Sequence, residues 1–366
     1  MTQIRNAMQS RTFWLLQPGK LEERSIEREI KDGEVVIEPS MASVCHADIR
    51  YYAGLRKPEA MAKKLPMALL HEGIGTVIES RSQEVQVGER VVIVPNLPGH
   101  LVEAKTKEEC CLTCGKGVAD NYCENGHFMG SGYDGIAQSR VVVPAACAVP
   151  IPADMPDEIA VLSELCTVSY HALSHVHQKL LSPNTTVAIF GDGPVGYLTA
   201  AMVRYVYGID ELRLTVFGAM PEKLEQFKFA ARHLVQNFDF SSSKVGADII
   251  IECTGGKFSE SAINQGIDLA NRGGSLILMG VTEERVPINT RDILEKGLTL
   301  YGSSRSSVSD YHAVIKALEN PAYQQALSLV LPDTLISVSK VEDFDEAMKS
   351  ASAHRGWQKT ILDFKW

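Results

Sequence analysis

Hydrophobic and polar positions change their period roughly 150 residues into the chain. Before that point, short β-branched runs at 34–38, 75–79, 90–95 and 139–144 are punctuated by Gly and Pro. This is the pattern of short strands in a barrel-like or sandwich-like β domain. Pro152 and Pro156 mark a border, and 157–181 then carries helical spacing. Strand-like runs at 187–190, 212–217, 249–252 and 275–279 alternate with helix-like stretches at 195–207, 222–232 and 259–271. Such alternation predicts parallel strands joined by right-handed crossovers, a doubly wound sheet in an α/β chain. After Gly302, helix-like 311–318 and 344–350 precede a strand-like 359–364. That tail is too short for a core of its own and is expected to rejoin the first domain. The expected division is 1–156 with 309–366, and 157–308.

The run at 187–190 ends in a glycine-rich turn, Gly191, Asp192, Gly193, Pro194, Val195, Gly196, and a helix pattern follows at once. A bare G-x-G-x-x-G is a common turn, but between a strand and a helix it predicts a dinucleotide cradle. NAD-selective cradles place an acid at the end of the next strand, about twenty residues on, to hold the ribose 2′-hydroxyl. Gly218 stands there instead, followed by Lys223, with Arg213 as a second cation. The missing carboxylate removes repulsion against a 2′-phosphate, so NADP(H) is the expected coenzyme. Glu222 is a solvated loop charge or an acid that reaches the ribose.

Composition restricts the function classes. The 366 residues are 45% hydrophobic and 22% charged, with a formal charge of −9, which argues against a nonspecific nucleic-acid surface. The opening eleven residues are polar and no apolar run approaches a membrane span, so a cytoplasmic enzyme without membrane contact is expected. Four of the eight cysteines, Cys110, Cys111, Cys114 and Cys123, fall in one short stretch. In such an enzyme clustering points to metal rather than disulfides.

Upstream of the turn stand Cys45, His71 with Glu72, and, past the border, Glu164. Each alone reads as a core or solvated residue. Together, a thiolate, an imidazole and carboxylates are the donors of a catalytic zinc with an open position. The order Cys45, His71-Glu72-x-x-Gly75, Gly88-x-Arg90-Val91, cysteine cluster, Glu164 and G-x-G-x-x-G resembles the zinc-containing medium-chain alcohol and polyol dehydrogenases. That resemblance implies a GroES-like β-barrel catalytic domain plus a Rossmann domain. It carries the catalytic-zinc positions onto Cys45, His71 and Glu164, with Glu72 a ligand or a neighbour of one. It also implies a structural zinc in the lobe, where Glu108 occupies the expected first position and Cys110 is extra; adjacent Cys110 and Cys111 are awkward ligands for one ion, so a metal-free lobe with reduced thiols is the other reading. The hydroxyl that relays a proton in many relatives is absent, since Ala47 occupies its place. Glu72 or Glu164 is the expected substitute.

The stretches 45–54, 65–67, 70–73, 261–265 and 295–306 are similar to the bacterial ribulose-5-phosphate reductases. That likeness implies NADPH-dependent reduction of D-ribulose 5-phosphate to D-ribitol 5-phosphate, which a cytidylyltransferase then activates to CDP-ribitol for teichoic acid or capsule. A phosphorylated substrate needs a cationic handle; Arg50 and Arg305 are the leading candidates, beside Arg56 and Lys57. The resemblance further implies a homo-oligomer, dimer or tetramer. Two other readings stay open: a dehydrogenase of unphosphorylated polyols or secondary alcohols, and a non-catalytic NADPH-binding relative.

Overall fold

The computed structural model describes residues 7–240, 245–354 and 356–366. The chain divides into two compact units, Met1–Glu164 with Ser306–Lys316 and Leu331–Trp366, and Leu165–Arg305 with Ala317–Val330.

Antiparallel pairing builds most of the first unit; among its described strands the one parallel pair is Ile336–Val338 with Ile361–Phe364. β1 (Ala7–Gln17) and β2 (Lys20–Glu29) form a long hairpin that turns at Gly19, where φ is +68°. The polar opening stretch of the sequence hid this strand. Residues 1–6 lie outside the described residues, while β1 buries Ser10 and Thr12 beside Phe13 and Leu15, so apolar alternation is interrupted. Ser10 remains satisfied by donating to the Arg140 carbonyl at 3.0 Å. There follow β3 (Glu34–Ser43), α1 (His46–Tyr52), β4 (Met67–Ala68), β5 (Glu72–Ser80), β6 (Arg90–Ile93), β7 (Asn96–Leu97), β8 (His127–Phe128), β9 (Val141–Pro144) and β10 (Ala148–Pro150). Strands β10, β6, β5 and β3 are neighbours in one sheet, β4 extends the hairpin, and β7 pairs with β8.

The expected helix over 157–181 is broken into Asp157–Ala160, α2 (Ser163–Ser174) and His177–Leu180. Ser163 Oγ donates to the Ala160 carbonyl at 2.6 Å, and Ser174 Oγ to that of His171 at 2.7 Å. Side chains that compete for backbone acceptors end helices at such points.

The second unit contains β11 (Val187–Phe190), α3 (Pro194–Tyr205), β12 (Leu214–Gly218), α4 (Pro221–Leu224), β13 (Ala231–Leu234), β14 (Ala247–Glu252), α5 (Ser259–Leu269), β15 (Ala270–Leu278) and β16 (Thr299–Gly302). Its sheet has the order β13-β12-β11-β14-β15-β16 with parallel neighbours throughout. The helix expected over 222–232 stops after one turn. Phe227 is fully buried and packs edge-on to Tyr197, and 231–234 pairs with β12, so packing overrides local helical period. Ile189, Val216, Ile251 and Ile277 are fully buried, as strands covered on both faces require. Helix α6 (Val308–Ala317), β17 (Ile336–Val338), α7 (Val341–Ala353) and β18 (Ile361–Phe364) complete the chain. β18 returns to the first unit's sheet, between β3 and β17.

Candidate metal and coenzyme sites

Strand register assembles the metal candidates. Ser43, the last residue of β3, pairs with Glu72 of β5 on one side and Ile361 of β18 on the other. Cys45 and Lys359 each lie two residues from those pairs, so three distant segments meet at one end of the sheet. Cys45 precedes α1, where Asp48 Oδ2 accepts from the Cys45 N–H at 3.0 Å. Asp48 Oδ1 accepts from the Leu70 N–H at 3.0 Å and stands 3.5 Å from His71 Nδ1. Leu70 is held at φ +75°, a left-handed conformation that an ordinary side chain adopts only under constraint. The residue before His71 is thus set by a buried carboxylate, and the His71 ring lies against Phe128 with centroids 5.3 Å apart.

Donor atoms of Cys45, His71 and Glu72 all lie within 4.8 Å of one another. Glu72 is fully buried; its carboxylate makes no hydrogen bond of acceptable geometry, and His71 Nδ1 is also unsatisfied. Lys359 Nζ nevertheless stands 2.9 Å from Glu72 Oε2 and donates to the Val44 carbonyl at 2.9 Å. A soft thiolate, an imidazole and a carboxylate with unsatisfied buried lone pairs form a donor set that fits zinc. Glu164 is buried nearby but outside that close trio. Burial first, then the Glu72 and Asp48 charges, push its carboxyl up to about 7, against the opposing pull of His71 and Lys359. Burial lowers the Lys359 ammonium, but Glu72 and Cys45 outweigh it and hold it above its ordinary range.

Sequence patterning did not single out Lys359. A lysine before a terminal strand has no local signature, and only the shared pairing of β3 reveals its neighbour. Asp48 both caps α1 through the Cys45 N–H and holds the Leu70 N–H beside His71.

The four lobe cysteines converge as well, with all sulfurs within 4.8 Å of one another. Cys110 and Cys111 stand 3.7 and 4.0 Å from Cys123, and none forms a disulfide. The Gly99 N–H points at Cys123 Sγ at 3.3 Å and the Cys114 N–H at Cys111 Sγ at 3.4 Å. Backbone donors of this kind favour thiolate, and the Cys111 thiol is brought down to about 7, led by the Cys114 N–H. Cys110 completes the group despite its neighbour in sequence, and Glu108 is not part of it. Four sulfurs fit a tetrahedral zinc.

In the second unit, Gly193 caps α3, with Pro194 in the first turn and Val195 beside it. A Cβ on Gly196 would meet the Gly191 carbonyl oxygen at 2.0 Å, so the turn closes only on glycine. The open N-terminus of α3 suits pyrophosphate. Gly218 ends β12 for a reason not visible in the sequence: a Cβ there would come within 2.7 Å of Asp192 Cβ and Oδ2. Asp192 Oδ2 accepts from the Ala219 and Met220 N–H groups at 2.7 and 2.8 Å. The strand end therefore does carry a carboxylate, supplied by the glycine-rich turn. Lys223 lies on α4 and is half-buried. Arg213 departs from the expectation. It is bound to Asp210 at 2.8 Å and to the Pro183 carbonyl at 2.7 Å, before β12 begins, at the strand end opposite Gly218. Arg50 lies on α1 in the first unit, and Arg305, at φ +62°, in the second.

Residues 31–153 match the alcohol dehydrogenase GroES-like domain and 194–320 match the zinc-binding dehydrogenase domain. The chain belongs to the zinc-binding alcohol dehydrogenase family. Within that family it is 36% identical to ribulose-5-phosphate reductase 1 of Staphylococcus aureus, over 98% of this chain and 99% of the relative. Identity to the ribulose-5-phosphate reductase of Bacillus spizizenii is 33%, over 98% and 100%. The crystal structure of S. aureus TarJ in complex with NADPH superposes with a TM-score of 0.82 at 32% identity, covering 98% of this chain and 100% of that one. The GroES-like and Rossmann-type halves expected from sequence are those of this family. Among the described residues, no helix is long and apolar enough to cross a membrane.

Proposed function

We propose that the chain is a cytoplasmic reductase that converts D-ribulose 5-phosphate to D-ribitol 5-phosphate with NADPH and zinc. The observation that carries this reading is the close Cys45, His71 and Glu72 donor set in a chain alike over its whole length to ribulose-5-phosphate reductases. Bound zinc supplies Lewis acidity at the ketone oxygen, and bound NADPH supplies the hydride. Cys45, His71 and Glu164 hold the metal, with Glu72 beside them; Cys110, Cys111, Cys114 and Cys123 hold a second, structural ion. Gly191, Gly193, Pro194, Val195 and Gly196 cradle the pyrophosphate, and Gly218 and Lys223 border the 2′-phosphate. Ala47 has no hydroxyl, so Glu72 or Glu164 moves the proton. Arg50 and Arg305 contact the substrate. The product is an alcohol phosphate, the kind of substrate a cytidylyltransferase consumes in building CDP-ribitol, and the working form is a homo-oligomer.

An NADPH-oxidation assay with ribulose 5-phosphate, with and without a chelator, tests the reading; no turnover by zinc-loaded protein overturns it. Parallel assays with unphosphorylated ribulose separate it from a polyol dehydrogenase. Glu72→Gln and Glu164→Gln with unchanged pH-rate and solvent-isotope profiles exclude the carboxylate route.

A further inference from the structure

Helix α1 has one metal candidate, Cys45, at its start and a different constellation at its end. Tyr51 is 1% exposed, and its hydroxyl lies 3.1 Å from Ser131 Oγ. Lys64 Nζ donates to the same Ser131 oxygen at 2.8 Å. The Arg56 guanidinium sits over the Tyr51 ring, 4.2 Å from its centroid, and Lys64 Nζ is 5.7 Å from that centroid. Arg56 Nε is buried with no hydrogen-bond partner. Among the described residues, neither Arg56 nor Lys64 forms an ion pair with a carboxylate.

Two cations therefore converge on one ring and one pair of hydroxyls without an anion to neutralise them. The positive potential is felt by its neighbours. Burial raises the Tyr51 phenol, yet the Lys64 and Ser131 hydrogen bonds and the Arg56 charge bring it below its ordinary value. Burial and then the charge of Arg56 lower the Arg50 guanidinium. Like charges held together with unused donors form a site prepared for an anion. Lysine and arginine offer two positive charges, which match a phosphate dianion better than a singly charged carboxylate.

Both walls of this cluster lead back to the metal donors. Six residues of chain separate Tyr51 from Cys45, about 9 Å at the α-helical rise. On the other wall, the Ser131 N–H donates to the Phe128 carbonyl at 3.1 Å, and the Phe128 ring packs on His71. The second carbon and the phosphorus of a ketopentose 5-phosphate are separated by five bonds of about 1.5 Å each, a comparable reach.

We propose that Arg56, Lys64, Tyr51 and Ser131 form the subsite for the phosphate group of the substrate, with Lys64 and Arg56 as its specificity-determining charges. The proposal rests on the reading of the chain as a ketose-phosphate reductase. It differs from the sequence expectation in its centre, since Lys64 was not among the cations read from the chain.

Two measurements on zinc-loaded protein test it, both with the half-exposed, fold-sparing variants Lys64→Met and Arg56→Met and with Lys64→Arg as the conservative control. Circular dichroism and melting first establish that each is folded. In steady state, each Met variant is expected to raise the KM for ribulose 5-phosphate at least tenfold. The preference for ribulose 5-phosphate over ribulose collapses, the KM for NADPH moves less than twofold, and Lys64→Arg recovers most of the loss. Separately, calorimetry with inorganic phosphate as probe is expected to show binding to the wild type that the Met variants weaken at least tenfold. Wild-type turnover of ribulose 5-phosphate with an unchanged KM in both Met variants overturns the subsite and leaves the proposed function standing. Failure of the wild type to turn over ribulose 5-phosphate, with phosphate binding lost in the variants, overturns the function and supports the anion site. Phosphate binding equal in wild type and variants overturns the subsite.

Discussion

Lys359 Nζ stands 2.9 Å from Oε2 of Glu72, and the two side chains are 9% and 0% exposed. Removing one partner of such a buried pair strands the other charge, at a cost of about 3–5 kcal/mol. Lys359→Met is therefore expected to destabilise the metal-free protein by that order. A zinc ion at the adjacent donors offers Glu72 a second source of positive charge, so the loss in zinc-loaded protein should be smaller. Urea denaturation of both forms, with and without chelator, measures the difference. Equal losses in the two forms contradict a shared electrostatic role for Lys359 and the metal.

Gly218 is fixed by Asp192. The obvious engineering step toward NADH, Gly218→Asp, puts a side chain where the Asp192 carboxylate already lies, and overpacking of this kind costs about 1–3 kcal/mol. The single variant should melt earlier and bind both coenzymes less well. The pair Asp192→Gly with Gly218→Asp relieves the collision and moves the acid to the end of β12, so the NADH:NADPH ratio of kcat/KM should rise in the double variant alone. Strong coupling between the sites is the expected signature. A Gly218→Asp single variant as stable as wild type refutes the steric argument.

Much of this was readable from the chain. Four of the six parallel strands of the glycine-turn unit, β11, β12, β14 and β15, announced themselves because strands buried on both faces are continuous apolar runs, and Gly191 to Gly196 is local in sequence. Cys45, His71 and Glu72, which the fold draws together, were legible as donor types in order, while Glu164 lies outside that trio. What escaped was non-local. β1 buries Ser10 and Thr12 against partners more than a hundred residues away; Lys359 meets Glu72 only through β3; Asp192 reaches Ala219 and Met220 across the turn. The helix expected over 222–232 failed for the same reason, since Tyr197 and β12 decide what Phe227 and 231–234 do. Adjacent Cys110 and Cys111 looked awkward for one ion, yet the extended backbone at Cys111, with φ −161° and ψ 166°, breaks the helix between them and lets both sulfurs point inward.

The lobe gives a stoichiometric prediction. If all four thiols hold an ion, elemental analysis returns two zinc atoms per chain for the wild type and one for Cys114→Ser. That variant should also lose several kcal/mol of stability, because binding to a structural zinc site contributes directly to folding. One zinc per wild-type chain, unchanged in Cys114→Ser, places no metal in the lobe.

Asp48 joins two tasks that mutation can separate. Its oxygens accept the Cys45 and Leu70 N–H groups, and its charge faces His71. Asp48→Ala orphans the buried Leu70 N–H, at roughly 1–3 kcal/mol, and the half-buried Cys45 N–H, and should weaken folding and zinc retention together. Asp48→Asn keeps one acceptor oxygen and most of the shape but removes the charge that orients and polarises the imidazole. Outer partners of metal-bound histidines typically contribute 10–100-fold in affinity, so Asp48→Asn should fold with a modest loss and yet release zinc to a chromophoric chelator at least tenfold more readily. Wild-type zinc affinity in a stably folded Asp48→Asn protein would reduce Asp48 to a helix cap.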